Sequence, residues 1–467
     1  ACSFIQRWNH HVLDLNVSYE YPHIFPKTGP PMLILTSEGV IKTEAAVDGS
    51  SGGSHRSSFM TDTSDSSTAE LPSPKIKAAV ALSGSGNNNN NNIVSVPIGS
   101  TNLKPPPSPN ARNNMSSSSE SCEGSDNSFG ANCKVQVVRS ITQWSGSIYT
   151  ETSIHQAYID LITKAENFIY IENQYFISSL CGGGCQNKIA ETILNRIKKA
   201  ILAKEVFRVI VVMPCLPTGG SWKESAAIQY IMKWQYWTIC RGGNSLLEQL
   251  TREFPHINPE DYIMFCSLRT CDYLMGTPVS EQVYVHSKLM IVDDKVAIIG
   301  SANINDRSMT GERDSEICVI VEDCHKVNST MNGKPYKVNK FAHELRKTLF
   351  REHLGLEESD SSVQDPIVET FYKGVWLKTA NKNTQVYNEF FIDIPQDRIE
   401  TLEDYQQKEH FSKTFIDSMS VGTSTRLPSP ILQMVTGHLV KFPLQFLRKE
   451  TLSPGGVEGM LGNEVFQ

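Results

Sequence analysis

His286, Ser287 and Lys288, with four residues before Asp293 and then Gly300-Ser301-Ala302-Asn303, carry the residue types best suited to chemistry in this chain. The stretch reads HSKLMIVDDKVAIIGSANINDRS. Tyr284, Val285 and Leu289 to Val292 are aromatic, β-branched or apolar, so 283–292 reads as a strand. Asp293-Asp294-Lys295 breaks it as a turn, and Val296 to Ile299 forms the return strand. Side chains alternate along a strand, which predicts His286 and Lys288 on one face. A histidine beside a lysine on a buried face is costly unless an anion lies between them. A phosphate satisfies both, with lysine as point charge and histidine as attacking or proton-donating group. Ser301 and Asn303 share parity on the return and offer hydroxyl and amide donors to the same oxygens. Asp293 has the opposite parity and sits at the turn, which assigns it to the hairpin and neighbouring backbone groups. A lone His-x-Lys is usually a core histidine beside a snorkelling lysine. The joint occurrence of His-x-Lys-x4-Asp, GSANIN and Glu316 favours chemistry here.

The elements that must position these residues alternate between strand and helix. Strands are predicted at Val135 to Arg139, Phe168 to Glu172, Val206 to Met213, Tyr262 to Ser267 and Glu316 to Val321. Helices are predicted at Ser153 to Glu166, with Ser153 as cap, at Ser221 to Ile239 and at Phe341 to His353. Val206 to Met213 is a near-continuous apolar run of the kind buried on both faces. The alternation predicts an α/β class, a layered α/β/α lobe on a mixed sheet. In the IENQYF segment (172–176 with Ile171), the polar residues stand at a strand end, where α/β sheets place ligands. Capping and packing explain them equally well, and none is assigned a catalytic role. Trp222, Trp234, Tyr236 and Trp237 are assigned to core packing rather than to lipid contact.

Composition bounds the rest. The 467 residues suffice for two or three average domains. Residues 45–132 are dominated by Ser, Asn, Gly, Pro and Thr, a composition that cannot bury enough apolar surface to offset ordering entropy. They read as a low-complexity disordered insertion between 1–44 and a catalytic lobe with its extension at 133–467. The eleven cysteines are scattered, with neither a signal peptide nor an apolar run of transmembrane length, which favours reduced thiols in the cytoplasm. Cys181-Gly-Gly-Gly-Cys185 reads as a glycine loop, since no second Cys or His pair lies near. A net charge of −7 excludes a surface that is basic throughout, as nucleic-acid binding would favour. Residues 188–208 nevertheless carry +4, with Ile189, Ile193, Ile197, Ala200 and Ile201 at helical spacing, so they form an amphipathic helix with a basic face.

HxKxxxxD followed by GSxN is the signature of the phospholipase D superfamily, which the chain resembles at His286, Lys288, Asp293, Gly300, Ser301 and Asn303. FIQRWNHH at 4–11, IYIENQYFIS at 169–178, CRGGNSLLEQL at 240–250, YVHSKLMIVDD at 284–294, GSANINDRSMTGERDSE at 300–316 and EVF at 464–466 resemble eukaryotic phosphatidylcholine-hydrolysing phospholipase D. The likeness covers most of 1–44 and 131–467. One departure matters: such enzymes carry two HxKxxxxD motifs, one per lobe, and this chain has one. His10-His11 lacks the lysine, as do His155, His343 and His353. With Ala1 in place of an initiator Met, the expectation is a C-terminal fragment lacking the other motif lobe and the family's PX and PH modules. The alternative is a single-motif, nuclease-like chain acting as a homodimer.

The resemblance implies a chemistry. The other lobe's histidine attacks phosphorus, while His286 acts as general acid and then as general base. Lys288 and Asn303 hold phosphoryl oxygens and Ser301 supports them. Glu316 orients the His286 imidazole, with Asp314 in reserve. The resemblance also implies no cofactor for catalysis, a phosphoinositide activator bound at Arg196, Lys198 and Lys199, and Arf- or Rho-type GTPases as regulators. The surface visited is a phosphatidylcholine membrane, making the protein cytoplasmic and peripheral, with no nucleic-acid partner. The family's C-terminus is buried, so a tag after Gln467 is expected to harm folding. Against phosphatidylcholine hydrolysis stand two competitors: a nucleic-acid phosphodiesterase built from paired chains, and a non-catalytic scaffold that keeps the fold.

Overall fold

Phe168–Glu172 (FIYIE) and Arg208–Val212 (RVIVV) are buried at every position, which only a strand covered on both faces allows. In the computed structural model the described residues are 34–35, 41–42 and 133–452, apart from 181–183, 218–222, 224, 275–276, 392–393, 408–432 and 451. They fall in two units. In the unit spanning 31–126, Ile34–Leu35 (β1) pairs antiparallel with Ile41–Lys42 (β2). Everything below concerns the other unit. The RWNHH segment, all of the predicted insertion, the start of the glycine loop and the EVF terminus lie outside the described residues.

The strands of this unit are β3 (Cys133–Ile141), β4 (Glu151–Thr152), β5 (Phe168–Glu172), β6 (Arg208–Val212), β7 (Ile263–Leu274), β8 (Thr277–Gln282), β9 (Leu289–Val292), β10 (Val296–Gly300), β11 (Glu316–Asp323), β12 (Lys326–Met331), β13 (Lys334–Asn339) and β14 (Leu439–Lys441). Its longer helices are α1 (Ser153–Lys164), α2 (Ile189–Ala203), α3 (Ala226–Ile239), α4 (Leu246–Glu253), α5 (Lys340–Leu354) and α6 (Lys378–Phe390). A single sheet runs β14-β7-β6-β5-β9-β10-β11-β3-β4, with β8 paired to β7. The β5–β6 and β6–β7 pairs are parallel, and the others are antiparallel. The parallel pairs need helical crossovers, which α2 supplies between β5 and β6, and α3 with α4 between β6 and β7.

Alternation sorts the core into two layers. Ile169, Ile171, Val209 and Val211 pack with Ile193 and Ile197 of α2, Ile228 of α3 and Leu246 of α4. Phe168, Tyr170, Ile210 and Val212 pack on the other side with Phe350 of α5, Ala380 of α6 and Trp376 from the turn before α6. This is the layered α/β/α arrangement on a mixed sheet that the alternating pattern predicts.

Several boundaries differ from the sequence reading. Residues 283–288 form no strand, and the strand predicted over 283–292 is reduced to β9. Ser153 is the first helical residue rather than the cap. Thr152 occupies the cap position, and Ser153 Oγ donates to the Arg139 carbonyl at 3.1 Å. α3 starts at Ala226 because Ser225 caps it, accepting from Ile228 N. β7 runs on to Leu274 because β8 covers its extension. The β12–β13 hairpin, α6 and β14 are elements that the sequence reading does not place.

The β9–β10 turn is pinned from two sides. Asp293 and Asp294 have φ of 54° and 53°, the paired left-handed conformation of a tight hairpin turn, usually filled by Asn-Gly. Aspartate tolerates that region because its short side chain can bond locally. Asp294 is fully buried and receives Arg346 Nη2 at 2.6 Å, Arg346 Nε at 3.0 Å and His343 Nδ1 at 2.7 Å, all from α5. Burial alone pushes its carboxyl up, and Arg346 and His343 outweigh burial to hold it below the usual carboxylate range. Arg346→Met leaves that carboxylate buried with half its partners. The unfolding free energy of the full chain, from denaturant titration, is predicted to fall by about 3–5 kcal/mol; an unchanged midpoint would contradict this account of the turn.

Candidate functional site

The backbone ladder fails where the chemistry begins. Val283 N still donates to Leu268 O at 2.9 Å, and the next ties are Gly300 N to the Lys288 carbonyl at 3.1 Å and the pairing of Leu289 with Glu172. Between them His286 and Ser287 are exposed and Lys288 is buried. His286 and Lys288 are therefore adjacent but not on a strand face, and His286 is not buried as the strand reading requires. Its ring lies 6.4 Å from that of Tyr284.

Lys288 Nζ donates to Gln174 Oε1 at 3.0 Å and to the His286 carbonyl at 2.6 Å. Burial pulls its pKa down to about 8, against the upward pull of the Glu316 carboxylate. Neither hydrogen-bond partner is a counter-ion, so the site holds a cation that an arriving anion would stabilise.

The IENQ segment, undecided on sequence grounds, forms the wall behind this lysine. Glu172 is buried and accepts from Ser287 Oγ at 2.5 Å, from Tyr170 OH at 2.6 Å and from His353 Nε2 at 3.0 Å. Gln174 Nε2 donates to Tyr284 OH at 2.9 Å. Asn173 Oδ1 accepts from Ile304 N at 3.0 Å, tying the segment to the residue after Asn303. Apart from Tyr170, these partners lie more than a hundred residues away in sequence, where spacing could not reveal them.

Asp293 does not approach His286. Its carboxylate accepts from the backbone N–H of Glu166 (2.7 Å), Asn167 (2.7 Å) and Phe168 (2.8 Å), fixing the hairpin to the start of β5. Burial pushes its carboxyl up despite these three donors. Gly300 ends β10 against Cys318, and a Cβ there would collide with the Ile317 carbonyl and Cys318. That close approach explains glycine before Ser301. Ser301 is exposed and donates to Glu316 Oε2, while its Oγ accepts from Ile317 N at 3.1 Å. Asn303 is half-buried, and its Oδ1 is buried without a hydrogen-bond partner among the described residues.

The orienting role expected of Glu316 has no support in this geometry. Both of its oxygens are occupied, one by Ser301 and the other by Ser308 Oγ at 2.7 Å, and neither bonds to His286. Burial raises its carboxyl pKa. Asp314 is committed as well, receiving Arg307 Nη2 at 2.7 Å and Nε at 3.0 Å.

Arg196 is not available to a head group. It is buried, donates to the Ala165 carbonyl at 2.6 Å and the Glu166 carbonyl at 2.8 Å, and stacks 4.0 Å over Phe207. Lys198 pairs with Glu253 at 2.7 Å, and only Lys199 of the three is exposed. Among the described residues no cluster of three His, Cys, Asp or Glu could hold a metal, and no helix is long and apolar enough to cross a membrane.

With a buried lysine beside an exposed histidine and a GSxN sequence at the end of the return strand on a mixed sheet, the site is of the HKD class. The family model described as Phospholipase D matches residues 110–399, more than half of the chain, and the chain belongs to the phospholipase D family. It is 45% identical over 345 residues to Phospholipase D zeta 1 of Arabidopsis thaliana, covering 69% of this chain and 31% of that protein. It is 44% identical over 322 residues to Phospholipase D B of Dictyostelium discoideum (68% and 25%) and 43% identical over 350 residues to Phospholipase D1 of Homo sapiens (71% and 31%). The chain thus spans a third or less of the length of these relatives. The Nuc phospholipase D family member of Salmonella typhimurium is similar over 46% of this chain and 91% of its own, at 15% identity and a TM-score of 0.24, too slight to carry an argument.

Lys288 has a lower pKa folded, about 8, than its ordinary 10.5. The unfolded state therefore binds more protons between those values, and stability gains from Lys288 as pH rises through that window. Below it, the buried charge costs stability. Lys288→Met is predicted to raise the unfolding free energy at neutral pH by about 1–2 kcal/mol. A destabilised Met variant at neutral pH would contradict the assignment of Lys288 as a buried cation with no carboxylate bonded to it.

Proposed function

We propose that this chain supplies half of a phospholipase D active site that cleaves phosphatidylcholine to phosphatidic acid and choline. The observation that carries the reading is Lys288, buried and without an anionic hydrogen-bond partner, beside an exposed His286. Exposure of His286 and Ser301 suits a site whose opposite half comes from a second HKD lobe.

In the proposed reaction a histidine of that lobe attacks phosphorus and displaces the choline oxygen, which takes a proton from His286. A water then attacks the phosphohistidine, giving its proton to His286 and releasing phosphatidic acid. A primary alcohol in place of water yields a phosphatidylalcohol by the same step. Lys288 and Asn303 hold the non-bridging oxygens, where positive charge and amide donors count most in a water-poor site. Asp293 serves through the backbone of the hairpin and touches no substrate.

The test is choline release from phosphatidylcholine vesicles by the 467-residue chain, alone and with a supplied lobe carrying an HxKxxxxD motif. Near-silence alone and activity on complementation are expected, with phosphatidylethanol formed when ethanol is added. Robust release by the chain alone would overturn the half-site reading, and cleavage of DNA in place of lipid would overturn the substrate. In the complemented protein kcat/KM is predicted to fall as pH rises through about 8, where Lys288 loses its charge. A profile that stays level well beyond that pH would remove Lys288 from phosphate binding.

A further inference from the structure

Residues 284–288 form no strand, and their printed backbone tie is Gly300 N donating to the Lys288 carbonyl at 3.1 Å. Side chains do the holding. Ser287, between His286 and Lys288, donates its hydroxyl to Glu172 Oε2 at 2.5 Å. The other carboxylate oxygen takes Tyr170 OH and His353 Nε2, at 2.6 and 3.0 Å. Glu172 is 6% exposed and His353 4%. A buried carboxylate–imidazole pair is seldom worth more to stability than apolar side chains of the same volume. Its placement therefore calls for another explanation, and its one outward bond goes to the residue between the two chemical groups.

We propose that Glu172, braced by His353 and Tyr170, is a positioning residue that sets the backbone of His286 and Lys288 through the Ser287 hydroxyl. The tie replaces the missing ladder with a charge-assisted hydrogen bond, the strong and directional kind. Tyr170 belongs to β5 and His353 to α5, so the brace rests on two rigid elements. Each is locked further: Tyr170 packs edge-on against Phe350 at 5.0 Å between ring centres, and His353 against Trp376 at 6.4 Å. Burial pushes the Glu172 carboxyl up, yet His353, Ser287 and Tyr170 together hold it below its ordinary value, so it stays ionised as the acceptor. Gln174, two residues on, anchors Lys288 Nζ from the same segment. The IENQ sequence thus works as a ledge for the HSK sequence, one acceptor for each of Ser287 and Lys288.

The inference deepens the phosphodiesterase reading and rests on it for its catalytic consequence, but not for its geometric one. Ser287→Ala, Glu172→Gln and the double variant are compared in the complemented protein, on a short-chain soluble phosphatidylcholine. Inorganic phosphate binding to the 467-residue chain is measured beside it, well below the melting temperature. Each single variant is expected to lower kcat by about 10–100-fold, as loss of an orienting partner does. The double variant should be no worse than the weaker single, because both break one tie. Ser287→Thr, which keeps the hydroxyl, should recover most of the loss. Phosphate affinity should drop about tenfold in both single variants as Lys288 is released. Losses that multiply, an unchanged kcat, or unchanged phosphate affinity would overturn the positioning role. Should the wild-type assembly bind phosphate with this dependence and yet cleave no lipid, the lipase reading fails while the role of Glu172 stands.

Discussion

A lysine ammonium held out of water with no carboxylate bonded to it is the constraint around which this molecule is built. Lys288 is 7% exposed, and its hydrogen bonds go to an amide oxygen and a carbonyl. Neutral oxygens offset part of the lost hydration but not the charge. What remains unmet is an anion, which in the proposed reaction is the phosphoryl group, and His286 stands exposed nearby in sequence. Function and stability therefore pull in opposite directions at this residue, as they commonly do where an active site is prepared in advance.

Such a site needs a stiff frame, and the frame is assembled from carboxylates acting on backbone. Asp293 gathers three N–H groups at the start of β5, and Asp294 clamps the same turn to α5 through Arg346 and His343. Glu172 grips the opposite end of the hairpin through Ser287. Between these anchors β9 is buried at every position. The hairpin is fixed at both ends, and His286, Ser287, Ile299 and Ser301 are its exposed positions.

The sequence made local things legible. β5, β6, β10, β11 and α5 follow from apolar runs and periodicity because each is decided by its own burial. The HSK–GSAN constellation was legible for the same reason, its members lying within one hairpin. The strand through His286 was misjudged because Tyr284 and Val285 look β-prone, whereas the partner strand β5 ends opposite Leu289 and leaves them nothing to pair with. Arg196 was assigned to a basic face although it sits three residues after Ile193 and four before Ala200, on the buried stripe. Carbonyls at Ala165 and Glu166 and the Phe207 ring take its charge there. Glu316 accepts from Ser301 and Ser308, contacts that its spacing from His286 does not predict. Glu172 with Ser287 and His353 was invisible in principle, since three distant segments meet only after folding.

Family membership does not decide what the whole protein does, because the chain covers a third or less of its relatives. The most direct measurement is a nitrogen-15 NMR titration of the Lys288 side chain in the full chain, with and without inorganic phosphate. A midpoint near 8 that moves upward when phosphate binds is the predicted result. A midpoint close to the ordinary 10.5, indifferent to phosphate, would mean that Lys288 is neither buried as described nor part of an anion site.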